Sequence, residues 1–140
     1  MALRKSHLGI DFEPIRGFID GDPNDTRLPV DLDLLMERRG KFFMGECKQP
    51  GEQVSRGQEI MLENLAKQEA NIVYIIELSG AKATNGANLF EPRKYKRVGR
   101  DKSYINTTTE EFKGIMKEWW DKSSENKRLQ SKSSTATERS

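Results

Sequence analysis

The chain holds a single cysteine and a single histidine among 140 residues. A lone thiol closes no internal disulfide, and Cys47 with His7 is too small a set for a structural zinc site. No stretch approaches the roughly eighteen consecutive apolar residues of a membrane span, and Met1 to Ile10 lacks the apolar centre of a secretory signal. The expectation is a cytoplasmic protein with no membrane partner. Hydrophobic residues make up only 34% of the chain against 33% charged ones, and the apolar ones concentrate between positions 28 and 78. That distribution predicts a single domain over residues 1–122 with a small core. An irregular arm would open it over 1–27, and a disordered polar tail would follow over 123–140.

Charge is abundant and segregated. Residues 1–90 carry 11 Lys/Arg against 14 Asp/Glu, whereas residues 91–140 carry 13 against 8, so the acids lead and the bases follow. Six bases lie in the ten residues "RKYKRVGRDK": Arg93, Lys94, Lys96, Arg97, Arg100 and Lys102. Such a stripe suits a phosphate backbone, although in most proteins it is a solvated edge.

Period-two patterning is sharp from Val30 onward. Val30, Leu32, Leu34 and Met36 are expected on one face of a strand, with Asp31, Asp33, Leu35 and Glu37 on the other. After "ERRG" a second strand places Phe42, Met44, Glu46 and Lys48 together, with Phe43, Gly45 and Cys47 opposite. The pair predicts a β-hairpin over about 29–48. "KQPGEQ" ends it, because Pro and Gly break a ladder. A helix over about 55–69 follows, opened by Ser55 and facing Met61, Leu62 and Leu65 inward. "NIVYIIEL", over about 71–78, reads as a strand buried on both faces. "LFEPRKYKRV" suits an edge strand, and a last helix over about 108–121 lines up Phe112, Ile115, Met116 and Trp119. Hairpin, helix and buried strand together predict an α/β fold with a mixed sheet. In this frame Cys47 and Trp119 are core residues, Trp120 is unassigned and His7 is a surface residue.

Residues two apart on a strand share a face, so Glu46 and Lys48 stand together. A two-residue loop at Arg39-Gly40 would set Asp33 opposite Glu46, and a four-residue loop from Glu37 would set Asp31 there. Paired carboxylates repel unless a proton or a divalent cation sits between them, and Mg²⁺ takes such oxygen ligands while keeping several waters. A lysine beside the metal could orient a water, and the metal would stabilise charge developing on a phosphate. The plainer interpretation is a set of cross-strand ion pairs on a solvated face.

The stretch "ECKQPGEQVSRGQEIMLENLAKQEANIVYIIEL", with the aspartates before it, resembles the PD-(D/E)xK nuclease superfamily. Within it the chain is most similar to the VRR-NUC branch, through E-x-K, the Pro-Gly loop, the Ser-x-x-Gln helix start and the apolar strand. The resemblance spans Val30 to Leu78. It implies a restriction-endonuclease-like core and Mg²⁺- or Mn²⁺-dependent DNA cleavage, with metal positions at Asp33 and Glu46, a catalytic lysine at Lys48 and the helix glutamine at Gln58. Two points depart from the pattern. Leu32 rather than Pro precedes the aspartate, and Pro29 lies two before Asp31, which leaves Asp31 as the alternative to Asp33. The acid that many relatives supply from an N-terminal helix has only Glu13 as a candidate. Gln58 could equally serve a capping box with Ser55. The expectation is a small endonuclease of phage type acting on branched or nicked DNA as a homodimer, with the basic stripe on the DNA. Its alternative is a nuclease-fold protein that holds DNA, or blocks a host protein, without cutting.

Overall fold

The computed structural model describes residues 10–25, 27 and 31–139, with side chains to Ser124. A single 3₁₀ turn, Glu13–Ile15, precedes the main body. The elements are β1 (Leu34–Arg38), β2 (Lys41–Lys48), α1 (Arg56–Ala66), β3 (Asn71–Leu78), β4 (Pro92–Arg97), β5 (Ile105–Asn106) and α2 (Thr109–Arg139). The strands form one five-stranded sheet in the order β1-β2-β3-β4-β5. Only β2 and β3 run parallel, and the other neighbours are antiparallel. The α/β class and the mixed sheet expected from the pattern are both present.

The hairpin closes through two residues, because Arg38 pairs with Lys41. Arg39 and Gly40 both have positive φ, 52° and 82°, as a tight hairpin turn with right-handed strand twist requires. Two parallel neighbours need a crossover, and α1 supplies it between β2 and β3. Ser55 caps α1 by accepting from the Gln58 N–H, while the Gln58 side chain reaches back to the Ser55 N–H. Ser55→Ala removes this cap and is expected to cost about 1 kcal/mol, measured as a lower urea midpoint at unchanged slope.

Side-chain parity splits the core into two layers. On one face Phe43, Tyr74, Ile76 and Leu78 pack with Phe112 and Trp119 of α2. On the other, Met44, Val73 and Ile75 pack with Leu62 of α1. β3 is therefore covered on both sides, which accounts for its unbroken apolar sequence. Cys47 joins the α2 layer as a small core residue, and Trp120 is half exposed beneath the Arg38 guanidinium, 4.2 Å from its ring centroid.

Three expectations need correction. Leu32 packs with the α1 layer while Leu34 and Met36 pack with the α2 layer, because the chain bends at Asp33 before β1 begins. Residues 29 and 30 of the predicted hairpin lie outside the described residues, as does His7. β4 is not the sheet's last strand, since the two-residue β5 lies beyond it, and its Pro92 occupies the first position, where no ladder donor is needed. Helix α2 does not stop near 121 but continues to Arg139. No Pro or Gly follows Gly114 to break it, and the i,i+4 pairs Lys117–Asp121 and Glu118–Lys122 support the turn where the end was expected.

Candidate active site

Glu46 and Lys48 project from β2 toward the first turn of α1. Each is only 6% exposed, which is unusual for charged groups and requires partners. Gln58 supplies them from its N3 position in the helix. Its amide Nε2 donates to Glu46 Oε2 at 2.9 Å, and its Oε1 accepts from Lys48 Nζ at 2.9 Å. Lys48 Nζ also lies 3.4 Å from Glu46 Oε2, closing a three-membered ring of contacts. Gln58 thus caps α1, as one reading of its sequence position has it, and also bridges the acid and the base, a contact that the sequence does not specify. The capping box fixes its backbone, and the opposed charges fix which way its amide faces.

The two-residue turn decides between the aspartates. Leu34 pairs with Gly45 in the antiparallel register, so one step back along β1 and one forward along β2 sets Asp33 beside Glu46. Asp33 Oδ2 accepts from the Cys47 N–H at 2.8 Å, which tethers the bend to the end of β2. Both aspartates are exposed, and Asp31 lies two residues further out. Glu13 is not brought to this site. It is an exposed residue of the 3₁₀ turn, ion-paired with Arg16.

Burial is the main reason that the Glu46 carboxyl is pushed up from its ordinary 4.5 to about 7, and the charge of Asp33 adds to it. Lys48 pulls in the opposite direction but does not win. Glu46 Oε1 is buried, and once the carboxyl is ionised it lacks a hydrogen-bond partner among the described residues; protonated, it can share its proton with Asp33. A buried acceptor left without a partner is costly. An unsatisfied carboxylate oxygen beside a second carboxylate is what an oxygen-loving divalent cation would satisfy. Asp33 and Glu46 fit Mg²⁺ or Mn²⁺ in donor type, and such ions bind through one or two carboxylates and keep waters. No group of three Asp, Glu, His or Cys side chains suited to a metal occurs among the described residues, so the protein's share of any coordination shell is small.

Cys47, between the two site residues in sequence, faces the other layer. Burial pushes its thiol up to about 12, so it is no nucleophile at neutral pH.

Two acids near the site were not singled out from the sequence. Glu52, in the Pro-Gly loop, comes within 3.8 Å of Lys48 Nζ and accepts the Gln49 N–H at 2.9 Å. Glu77 pairs with Lys48 in the β2–β3 register and lies 3.8 Å from Lys94 Nζ. Its sequence signal was a lone charge near the end of the apolar run "NIVYIIEL".

The basic stripe divides by strand parity. Tyr95 packs into the α2 layer, which puts Arg97 on that side, whereas Arg93 sits at the register shift between Glu77 and Leu78, where alternation is broken, and pairs with Glu91. Lys94 and Lys96 point to the face that carries Glu46 and Lys48. They line an open cleft of about 720 Å³ between α1 and β4, to which Arg100 and Lys102 also contribute. Four of the six bases are therefore gathered beside the candidate site and two are not.

Comparison of the chain with protein-family models, with curated proteins and with solved structures returned no match.

Proposed function

We propose that this protein is a Mg²⁺- or Mn²⁺-dependent deoxyribonuclease that hydrolyses phosphodiester bonds, and that the site is of the PD-(D/E)xK kind. The observation that carries the reading is the buried Glu46 carboxylate, held on one oxygen by Gln58 and Lys48 and unpartnered on the other. Ordinary surface ion pairs do not bury a lysine and a glutamate this far and then leave one oxygen without a donor.

Asp33 and Glu46 would hold the metal, which when bound supplies a Lewis acid for the scissile phosphate and lowers the pKa of a water. The chain's own residues do the positioning. Gln58 holds Glu46 and Lys48 at fixed separation, so neither needs to reorganise as charge develops. Lys48 keeps an ammonium in a nearly dry setting beside the carboxylates, where it can orient a water or meet charge growing on the phosphate. Asp33 is anchored through the Cys47 N–H to the strand that carries the other acid. A homodimer would add a second such site for opposed cuts.

The decisive experiment incubates purified protein with supercoiled plasmid, nicked plasmid and four-way DNA, each with Mg²⁺, Mn²⁺ or EDTA. Cleavage is expected with either metal and absent in EDTA. Asp33→Asn should lose cleavage by at least about a hundredfold, whereas Asp31→Asn should keep most of it. Intact DNA under every metal condition would refute the reading, and equal losses from the two aspartates would refute the assignment of Asp33.

A further inference from the structure

The cleft beside the site has two walls of opposite charge and an apolar floor. Leu62, Ile75 and Val98 form the floor and are nearly buried. Glu59 and Glu63, one turn apart on α1, stand on one wall with Glu52. Lys94 and Lys96 of β4 stand on the other, continued by Arg100 and Lys102. The lining as a whole carries five acids and four bases, so it is not a general trap for polyanions, and the segregation of charge matters more than its sum. Two of the acids are engaged on the basic side itself. Glu77 is near Lys94, and Asp101 accepts the Arg97 N–H at 2.9 Å. Tyr104 closes that end, 42% exposed, with Lys96 Nζ 5.6 Å from its ring centroid.

From this arrangement we propose that the cleft takes one unpaired nucleic-acid strand. Its phosphates lie along Lys94, Lys96, Arg100 and Lys102, and one base stacks on Tyr104. A single strand brings one anionic backbone, which the basic wall can neutralise. A duplex brings two, and the second would face Glu63 together with Glu52 and Glu59, whose charge Lys48 and Arg56 offset in part, so like charge on that wall opposes it. A cationic groove with an aromatic platform is the usual means of holding single strands without reading their sequence. The side chains that follow Lys48 across the sheet in register, Glu77 and then Lys94, lead from the candidate site into this cleft. The proposal deepens the nuclease reading by naming the strand that enters the site, and it rests on that reading for its consequence but not for its test.

Binding is measured by fluorescence anisotropy of the full chain in EDTA, with a labelled oligothymidine and with a duplex of equal length. The single strand is expected to bind at least tenfold more tightly than the duplex. Lys94→Ala with Lys96→Ala should weaken it about tenfold or more and flatten the log-log salt slope by about 1.4, if each lysine meets one phosphate. Tyr104→Ala should cost about fivefold or more and Tyr104→Phe little, because the phenyl ring still stacks. Arg93→Ala with Arg97→Ala removes the same charge from residues that do not line the cleft and should change binding by less than twofold. Matching thermal melts establish that each variant is folded. Equal losses from the two double variants, equal affinity for duplex, or no binding by the wild type would overturn the proposal. If the wild type binds in this way but neither plasmid nor the oligothymidine is cut with metal, the nuclease reading fails alone. If DNA is cut while the Lys94/Lys96 variant binds like the wild type, the cleft fails alone.

Discussion

Lys48→Met is expected to lower the cleavage rate at saturating DNA by about two to four orders of magnitude while leaving DNA affinity in EDTA within about twofold. The substitution keeps the aliphatic stem, which is buried between β2 and α1, and deletes the ammonium. Positioned proton-transfer and charge-stabilising groups typically contribute factors of about 10² to 10⁴, and Lys48 is the only cation within 4.0 Å of Glu46 among the described residues. Its 6% exposure leaves little surface for an ordinary phosphate contact, so ground-state binding should hardly register the loss. Methionine also removes the 2.9 Å donor to Gln58 Oε1, leaving that oxygen only the 3.4 Å bond from the Ser55 N–H, so the Gln58 amide is held less tightly. Part of the rate loss would come through this loosened amide. Gln58→Ala separates the two contributions, because it keeps the ammonium and removes the bridge. A Lys48→Met protein that cuts at the wild-type rate but binds DNA as weakly as the Lys94/Lys96 variant would reduce Lys48 to a surface charge.

Much of the site was legible because its logic is local. Parity alone set Glu46 with Lys48 and turned Cys47 away, and it needs no knowledge of what packs where. The Ser55 cap and the boundaries of β3 follow equally local chemistry, a hydroxyl before an amphipathic run and a β-branched run ended by polar residues. The choice between Asp31 and Asp33 was not local in this sense. It turned on whether Arg39 accepts a positive φ, a conformation uncommon outside glycine, and "RG" is a weaker signal for the two-residue turn than Asn-Gly would be.

Other features depended on pairings that no short window contains. Glu77 reaches the neighbourhood of Lys48 only through the parallel register across α1, and Leu32 changes layer because Asp33 bends toward the Cys47 N–H. The division of the basic stripe lay within reach of the parity argument, since Tyr95 is the apolar residue of an alternating strand. A stripe counted by charge hides that alternation. The physical lesson is that a basic run on a strand presents half its charges to each face, whereas the same run on a helix would spread them around the axis.

Glu46→Gln is expected to stabilise the metal-free protein at pH 8, by on the order of a few kcal/mol, while abolishing its response to metal. The Glu46 carboxyl is pushed up from 4.5 to about 7, chiefly by burial and then by Asp33. The folded state therefore holds a proton between those values that the unfolded state has released, and stability falls as pH rises through that window. Below about 4.5 both states are protonated and above about 7 both are ionised, so the loss is confined to the interval. Glutamine copies the protonated form in shape, and its carbonyl can still accept from Gln58 Nε2. Lys48 does lose an ionic partner 3.4 Å away, but that attraction is already included in a shift whose net direction is upward, and Gln58 continues to bind the ammonium. Urea melts in EDTA from pH 4.5 to pH 8 should show the wild type weakening across the window and the variant staying nearly level. Millimolar Mg²⁺ at pH 8 should then raise the wild-type Tm by mass action and leave the variant unmoved. The metal takes the place of the proton at Glu46, so the same wild-type titration at pH 6 should release about one proton per ion bound. A wild type whose stability is flat or rising between pH 5 and pH 8 would mean that Glu46 is ionised at little cost, and the case for a cation at its unpartnered oxygen would lose its energetic basis.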